Sequence, residues 1–142
     1  MIDQFINEYR WMSNFYPCEI RYKGTLYKSV EYAYMSAKSS DKEWKKMCSD
    51  GTEKQRIIKK KSKDVDLVPN WDEIRIDVMR ECLEWKFSQE PLASWLIETG
   101  DAYLEEGNNW GDHFWGVDLE TGVGENNLGK LLMEIRTKIS GK

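Results

Sequence analysis

Two stretches of the chain hold residues whose types and spacing suit chemistry. In Ser29-Val-Glu-Tyr-Ala-Tyr-Met-Ser-Ala-Lys38, Glu31, Tyr34, Met35 and Lys38 fall at i, i+3, i+4 and i+7, one stripe of a helix. The neighbouring Val30, Ala33 and Ala37 are small and apolar, as close packing requires. Glu31 then lies in the first turn, where the helix dipole favours an ionised carboxylate. A carboxylate held negative among aromatic rings suits stabilisation of a developing cation. The plainer reading is a first-turn glutamate that only supports its helix. The second stretch is Asn108-Asn-Trp-Gly-Asp-His-Phe-Trp-Gly116. Its indole rings can stack a planar base, and its glycines let a ligand approach the backbone. Asp112 has the chemistry of a general acid or base, or of an acceptor for a ribose hydroxyl. Trp110 and Trp115 equally fit core anchors, and His113, the only histidine, fits a hydrogen-bonded structural role.

Two further features point to anions. Lys54-Gln-Arg-Ile-Ile-Lys-Lys-Lys-Ser-Lys63 contains six basic residues and no acid; a phosphate-binding rim and a solvated helix face both account for it. Asn126, Asn127 and Gly129 open the last helix, whose first-turn N–H groups could hold a phosphate. The glycines at 122, 124 and 129 form neither a Rossmann nor a Walker pattern. Cys18, Cys48 and Cys82 are odd in number and widely spaced, without a CxxC or a Cys/His cluster. They read as small buried hydrophobes in a reducing cytoplasm, with no structural zinc and no disulfide framework expected.

The positioning elements follow from composition and punctuation. A chain of 142 residues suits one domain, here residues 1–142. With 13% aromatic residues it is too rich in large apolar rings for a disordered chain. No run approaches the ~18 apolar residues of a membrane span. Met1-Ile-Asp-Gln-Phe5 carries neither a basic flank nor an apolar region, so no secretory signal is expected there. The net charge of −4 weighs against general duplex binding while leaving room for a local basic pocket.

Phe5 to Tyr27 reads as loop and short strands, with a hairpin over Ile20–Tyr27 around Gly24. Ser29 reads as the N-cap of the Glu31 helix. Asp41 caps a second short helix carrying Trp44 and Met47 and ending at Gly51. Thr52 to Ser62 predicts a third, basic helix. Asn70 and Glu73 form a capping-box pattern for a helix with the stripe Trp71, Ile74, Val78, Cys82 and Trp85. Pro91 fits the first turn of the next helix, which holds Trp95 and Leu96 and stops at Gly100. Ala102–Leu104 suggests a short strand, and 108–125 a long glycine-rich loop of the kind that often carries function. Asn126 or Asn127 caps a final helix with the stripe Leu128, Leu131, Leu132, Ile135 and Ile139. The expected fold class is α+β, mainly α: a helical domain with a few short strands.

Four blocks in this order resemble the NADAR family. They are Trp11-Met-Ser-Asn-Phe-Tyr-Pro-Cys18, Tyr27 through Lys38, Asn109-Trp-Gly-Asp112 with Trp115-Gly116, and Gly124-Glu-Asn-Asn-Leu-Gly-Lys-Leu-Leu-Met-Glu-Ile-Arg136. The resemblance implies an enzyme that cleaves N-glycosides of phosphoribose or ADP-ribose, similar to the N-glycosidases of riboflavin-biosynthesis intermediates. It places the family's functional acid on Glu31, its Trp-Gly-Asp block on Trp110, Gly111 and Asp112, its Ser-Asn-Phe block on Ser13, Asn14 and Phe15, and its Asn-x-Leu-Gly block on Asn126 to Gly129. The residue after the acid, often His in relatives, is Tyr32 here.

Cleavage of such a bond passes through an oxocarbenium-like ribose, which gains from negative charge beneath the ring, an activated water and a neutralised leaving nitrogen. The expected assignment has Glu31 stabilising the cation and orienting or deprotonating water, with Asp112 as second carboxylate. That division requires both to face one cavity. Trp110, Trp115 or Phe15 would stack the base, Asn14 and Asn127 would fix ribose or phosphate oxygens, and Lys38 and Arg136 would meet the phosphate. Tyr34, Ser13, Gly111 and Asn126 complete the expected binding set. No metal or cofactor is called for, because water addition to an oxocarbenium ion does not need a Lewis acid. The expected partner is a small nucleotide or ADP-ribose derivative. Two other readings stay open: a hydrolase for ADP-ribosyl-guanine in nucleic acid or for NAD-derived nucleotides, and a non-catalytic ADP-ribose-binding module.

Overall fold

Helices dominate the computed structural model, which describes residues 1–141, and the strands are only two or three residues long. The fold is α+β and mainly α. The chain divides into two compact units, Asn14–Lys86 and a second that joins Met1–Ser13 to the segment from Phe87 onward.

In the first unit, β1 (Ile20–Tyr22) and β2 (Thr25–Tyr27) pair antiparallel with Ile20 opposite Tyr27. Lys23 and Gly24 both take positive φ (50° and 81°), the two-residue turn that matches strand twist. Helix α1 (Val30–Ala37) starts at Ser29, whose Oγ accepts from the Tyr32 N–H at 3.2 Å. Seven of its eight residues are buried, Val30 to Ser36, so it is the core of this unit rather than a surface helix. Helices α2 (Lys42–Asp50), α3 (Gln55–Lys61) and α4 (Trp71–Lys86) pack around it. Asp41 caps α2 by accepting from the Glu43 and Trp44 N–H groups, and Gly51 ends it in the left-handed conformation at φ 62°. The third helix begins at Gln55, three residues later than the sequence suggests, and a short 3-10 turn, Ser62–Asp64, follows it.

The face of α4 is rotated from its expected stripe. Trp71, Val78 and Cys82 are buried, but Met79, Leu83 and Lys86 join them, while Ile74 is only half-buried and Trp85 is 39% exposed. Lys86 is fully buried, with its ammonium over the Tyr16 ring at 5.7 Å. A hydropathy pattern counts lysine as polar and so cannot find a face that contains one.

In the second unit a 3-10 helix, Asn7–Met12, buries Trp11 against Trp95 and Phe87, at ring distances of 5.8 and 6.2 Å. Helix α5 (Leu92–Glu98) follows Pro91. The expected strand at 102–104 reduces to a bridge between Leu104 and Ile2. Two residues, Gly107–Asn108 (β3), pair in parallel with Val117–Asp118 (β4) inside the glycine-rich segment. Helix α6 (Asn127–Ile139) buries Leu128, Leu131, Leu132 and Ile135, while Ile139 is half-buried. Asn126 occupies the N-cap position with φ 52° and makes no capping bond. Its side chain works elsewhere, accepting from the Glu106 N–H and donating to the Leu104 carbonyl, both at 3.0 Å.

Candidate functional site

The first unit builds its site on the buried start of α1. Glu31 is 5% exposed in the first turn, and its N–H donates to the Asn14 carbonyl at 3.0 Å. A relay fixes this corner. The Ser29 hydroxyl donates to Gln55 Oε1 at 2.7 Å, and Gln55 Nε2 donates to the Phe15 carbonyl at 3.0 Å. The start of α1, the start of α3 and the Asn14–Phe15 segment are thereby held in one arrangement. Asn14 Nδ2 lies 3.6 Å from Met79 Sδ. Its Oδ1 is buried and, among the described residues, has no hydrogen-bond partner. A buried acceptor left so is costly in a folded protein and commonly marks a place where a ligand or water completes the set.

Tyr34 and Lys38 share the face of Glu31. The Lys38 ammonium sits 6.0 Å from the Tyr34 ring centre and donates to Ser62 Oγ at 3.2 Å. The Tyr34 ring lies 5.2 Å from Trp71. Burial lowers the Lys38 pKa, the charge of Glu31 raises it, and Lys59 and Arg75 lower it further. Phe15 is 41% exposed, with the Lys59 ammonium 6.0 Å above its ring. Asn14, Phe15, Glu31, Tyr34 and Lys38 are therefore brought together in this unit. Gln55, Lys59 and Arg75 were not singled out as site residues by the sequence; Lys59 had a signal in the basic run, and the other two had none. Tyr32, next to Glu31 in α1, donates its hydroxyl to the Glu53 carbonyl at 2.5 Å. Burial and Glu53 raise its pKa above the usual value of 10, so its hydroxyl stays protonated near neutrality.

The second unit shapes the tryptophan-rich loop. Asn108, buried, accepts from the Asp112 N–H at 3.1 Å and donates to the Asp112 carbonyl and to Glu106 Oε2, both at 2.9 Å. Asp112 Oδ1 accepts from the N–H groups of Phe114 (3.1 Å) and Trp115 (2.9 Å). This is an Asx turn that organises the loop. Gly111 takes φ 84°, a conformation other residues resist. Trp110 is 64% exposed, whereas Trp115 is half-buried edge-on to Phe114 at 4.8 Å. Asn127 Nδ2 donates to the Phe114 carbonyl at 3.0 Å. The amides of Asn126, Asn127 and Leu128 donate to the carbonyls of Gly116, Phe114 and Trp115, so loop backbone takes the donors that the sequence offered to a phosphate. Arg136 Nη1 donates to Thr99 Oγ1 and the Ala102 carbonyl, both at 2.9 Å, and ties α6 to the end of α5. Ser13 closes the first 3-10 helix with its N–H on the Arg10 carbonyl.

The chain matches the NADAR domain over residues 3–140. It belongs to the NADAR domain family. Over 133 residues it is 35% identical to a riboflavin biosynthesis protein of Vibrio vulnificus strain YJ016, covering 91% of this chain and 35% of that protein. It therefore spans about a third of that relative's length. Over 138 residues it is 31% identical to N-glycosidase YbiA of Escherichia coli K12, covering 94% of this chain and 84% of YbiA. The NMR structure of Escherichia coli YbiA is similar, with a TM-score of 0.84 and 28% identity over 99% of this chain and 87% of that one. No helix among the described residues of this NADAR chain is long and apolar enough to cross a membrane.

Proposed function

We propose that this NADAR protein is an N-glycosidase that hydrolyses the bond between a ribose anomeric carbon and a nitrogen, with a phosphoribosyl amine of the riboflavin-intermediate type as its substrate. The class of enzyme is supported by relatives carrying that name over most of the chain's length. The observation that carries the chemistry is a carboxylate only 5% exposed in the first turn of a buried helix. Burying an ionised acid is expensive, and folds keep one chiefly where it works. In the reaction the C1′–N bond breaks with its electron pair going to nitrogen, which takes up a proton. The ribose becomes oxocarbenium-like, and a water adds its oxygen to C1′ and gives up a proton. Glu31 supplies the negative charge that stabilises the cation and orients the water. Asn14, through Oδ1, and Tyr34 contact the sugar, and Phe15 offers its ring to the base. For Asp112 the local geometry supports a loop-forming role, so the chemistry is assigned to Glu31. The loop it shapes presents Trp110 to solvent, where its ring can stack a planar base. The cytoplasm, where its three cysteines stay reduced, is the compartment this reading assigns.

The test is a substrate panel with mass-spectrometric detection of released base. Ribosylamine phosphates, ADP-ribosyl-guanosine and NAD are incubated with the protein. Release from the first alone is the expected result. Release only from ADP-ribosyl-guanosine contradicts the metabolite reading, and binding of ADP-ribose without any release contradicts catalysis.

A further inference from the structure

We propose that Lys38, Lys59 and Arg75 form an anion subsite beside Glu31 that holds the phosphate monoester of the sugar substrate. The proposal rests on the N-glycosidase reading and deepens it by assigning the phosphate's contacts to α1, α3 and α4.

Three contacts set these residues on neighbouring parts of α1, α3 and α4. Ser62 joins the first two: its hydroxyl accepts from the Lys38 ammonium at 3.2 Å and donates to the carbonyl of Lys59 at 2.6 Å. The aromatic stack joins the third. The Tyr34 ring, 6.0 Å from the Lys38 ammonium, lies 5.2 Å from Trp71, and Arg75 stands one turn along α4 from Trp71, on the same side of the helix. Phe15, tied through its carbonyl to Gln55, carries the Lys59 ammonium over its ring at 6.0 Å. The charges couple accordingly: Lys59 and Arg75 both disfavour the charge on Lys38, and Glu31 favours it.

The charge arithmetic then decides the ligand class. Three cations against one buried carboxylate leave an excess of two positive charges, before Asp72. That carboxylate is at the rim, 86% exposed, with Oδ1 4.0 Å from Nε of the half-buried Arg75, and water around the carboxylate screens a pair at that distance. Like charges gathered in a partly desolvated place repel, and a dianion relieves that repulsion. A phosphate monoester carries nearly two negative charges at neutral pH. Arginine and lysine are also the side chains suited to its oxygens, as a fork and as point charges. Arg136, the arginine suggested for this task by sequence, is instead held by Thr99 and Ala102.

The test is calorimetric titration of the full chain with ribose 5-phosphate and with ribose. Wild type should bind ribose 5-phosphate more tightly than ribose. Lys59→Met and Arg75→Met should each weaken ribose 5-phosphate by about tenfold, the scale of one charge-assisted contact, and leave ribose unchanged. Arg75→Lys should restore most of the binding, and its melting temperature guards against a folding defect in Arg75→Met. Ribose 5-phosphate affinity that is unchanged in both Met variants overturns the subsite, as does a wild type with no preference for the phosphorylated sugar. Turnover separates this failure from failure of the functional reading. Hydrolysis of a ribosylamine phosphate with KM unchanged in the Met variants defeats the subsite alone. Phosphate-dependent binding through these residues, with no hydrolysis of any substrate, defeats the N-glycosidase reading and leaves the subsite standing.

Discussion

Two carboxylates sit in unlike surroundings: Glu31 is buried in the first turn of α1, and Asp112 lies in a loop. Asp112 Oδ1 collects two backbone N–H groups, the work of a turn-former. Asparagine offers the same acceptor oxygen and alanine offers none. Asp112→Asn should therefore keep its stability, while Asp112→Ala should lose about 1 kcal/mol, the size of a lost cap. Urea denaturation measures both, and equal midpoints for the two variants would contradict the turn-forming role. The first-turn position of Glu31 was legible in the sequence because helix starts and stripes are periodic features. Asn108 was not: its importance lies in bonds to Asp112 and Glu106, and in a loop no periodicity announces such bonds. Arg75 carries no sequence signal for a related reason. On α4 it looks like any surface arginine, and only the packing of Trp71 on Tyr34 gives it a place.

Elements owe their positions to a few joints. Ser29 caps α1 and also donates to Gln55, which reaches the Phe15 carbonyl. Ser29→Ala should cost about 1 kcal/mol or somewhat more, since cap and relay go together. Ser29→Thr should recover most of that loss, and an alanine variant with an unshifted denaturation midpoint would contradict the joint. In the other unit, a Cβ on Gly116 would collide with the Glu106 carboxylate and carbonyl. Backbone at that distance cannot give way, so Gly116→Ala should cost about 1–3 kcal/mol by overpacking. Caps, turns and helix order were readable from single residues such as Ser29, Asp41, Gly24 and Gly51. The paired strands Gly107–Asn108 and Val117–Asp118 were not, because two residues cannot show an alternating pattern. Residue type marks Asn126 or Asn127 as the cap; Asn126 takes the position, yet its bonds to Glu106 and Leu104 win the competition for its side chain.

At the scale of the whole molecule, buried ionisable groups set the pH dependence of stability. Burial lowers the Lys86 pKa from 10.5 to about 8, opposed by the nearby Cys18. Between those values the unfolded chain holds more protons on this group, so stability rises with pH. Fully expressed, the rise is on the order of 3 kcal/mol. Burial also raises Cys48 and Cys82 from 9.0 to about 12. From pH 9 upward the unfolded chain loses those protons first, and stability falls. Two thiols outweigh one amine, so stability should climb from about pH 8 to a maximum near 9 and then decline. Lys86→Met should remove most of the climb, leaving the smaller part that Lys38 contributes, and keep the decline. Denaturation midpoints across this range provide the check, and a climb undiminished in Lys86→Met would assign it to another group. The central claim, that a buried first-turn glutamate performs N-glycosidic cleavage, is tested most directly by turnover of Glu31→Gln on a ribosylamine phosphate. The expected loss is at least ~100-fold with ribose 5-phosphate affinity retained. Turnover equal to that of the parent would contradict the account.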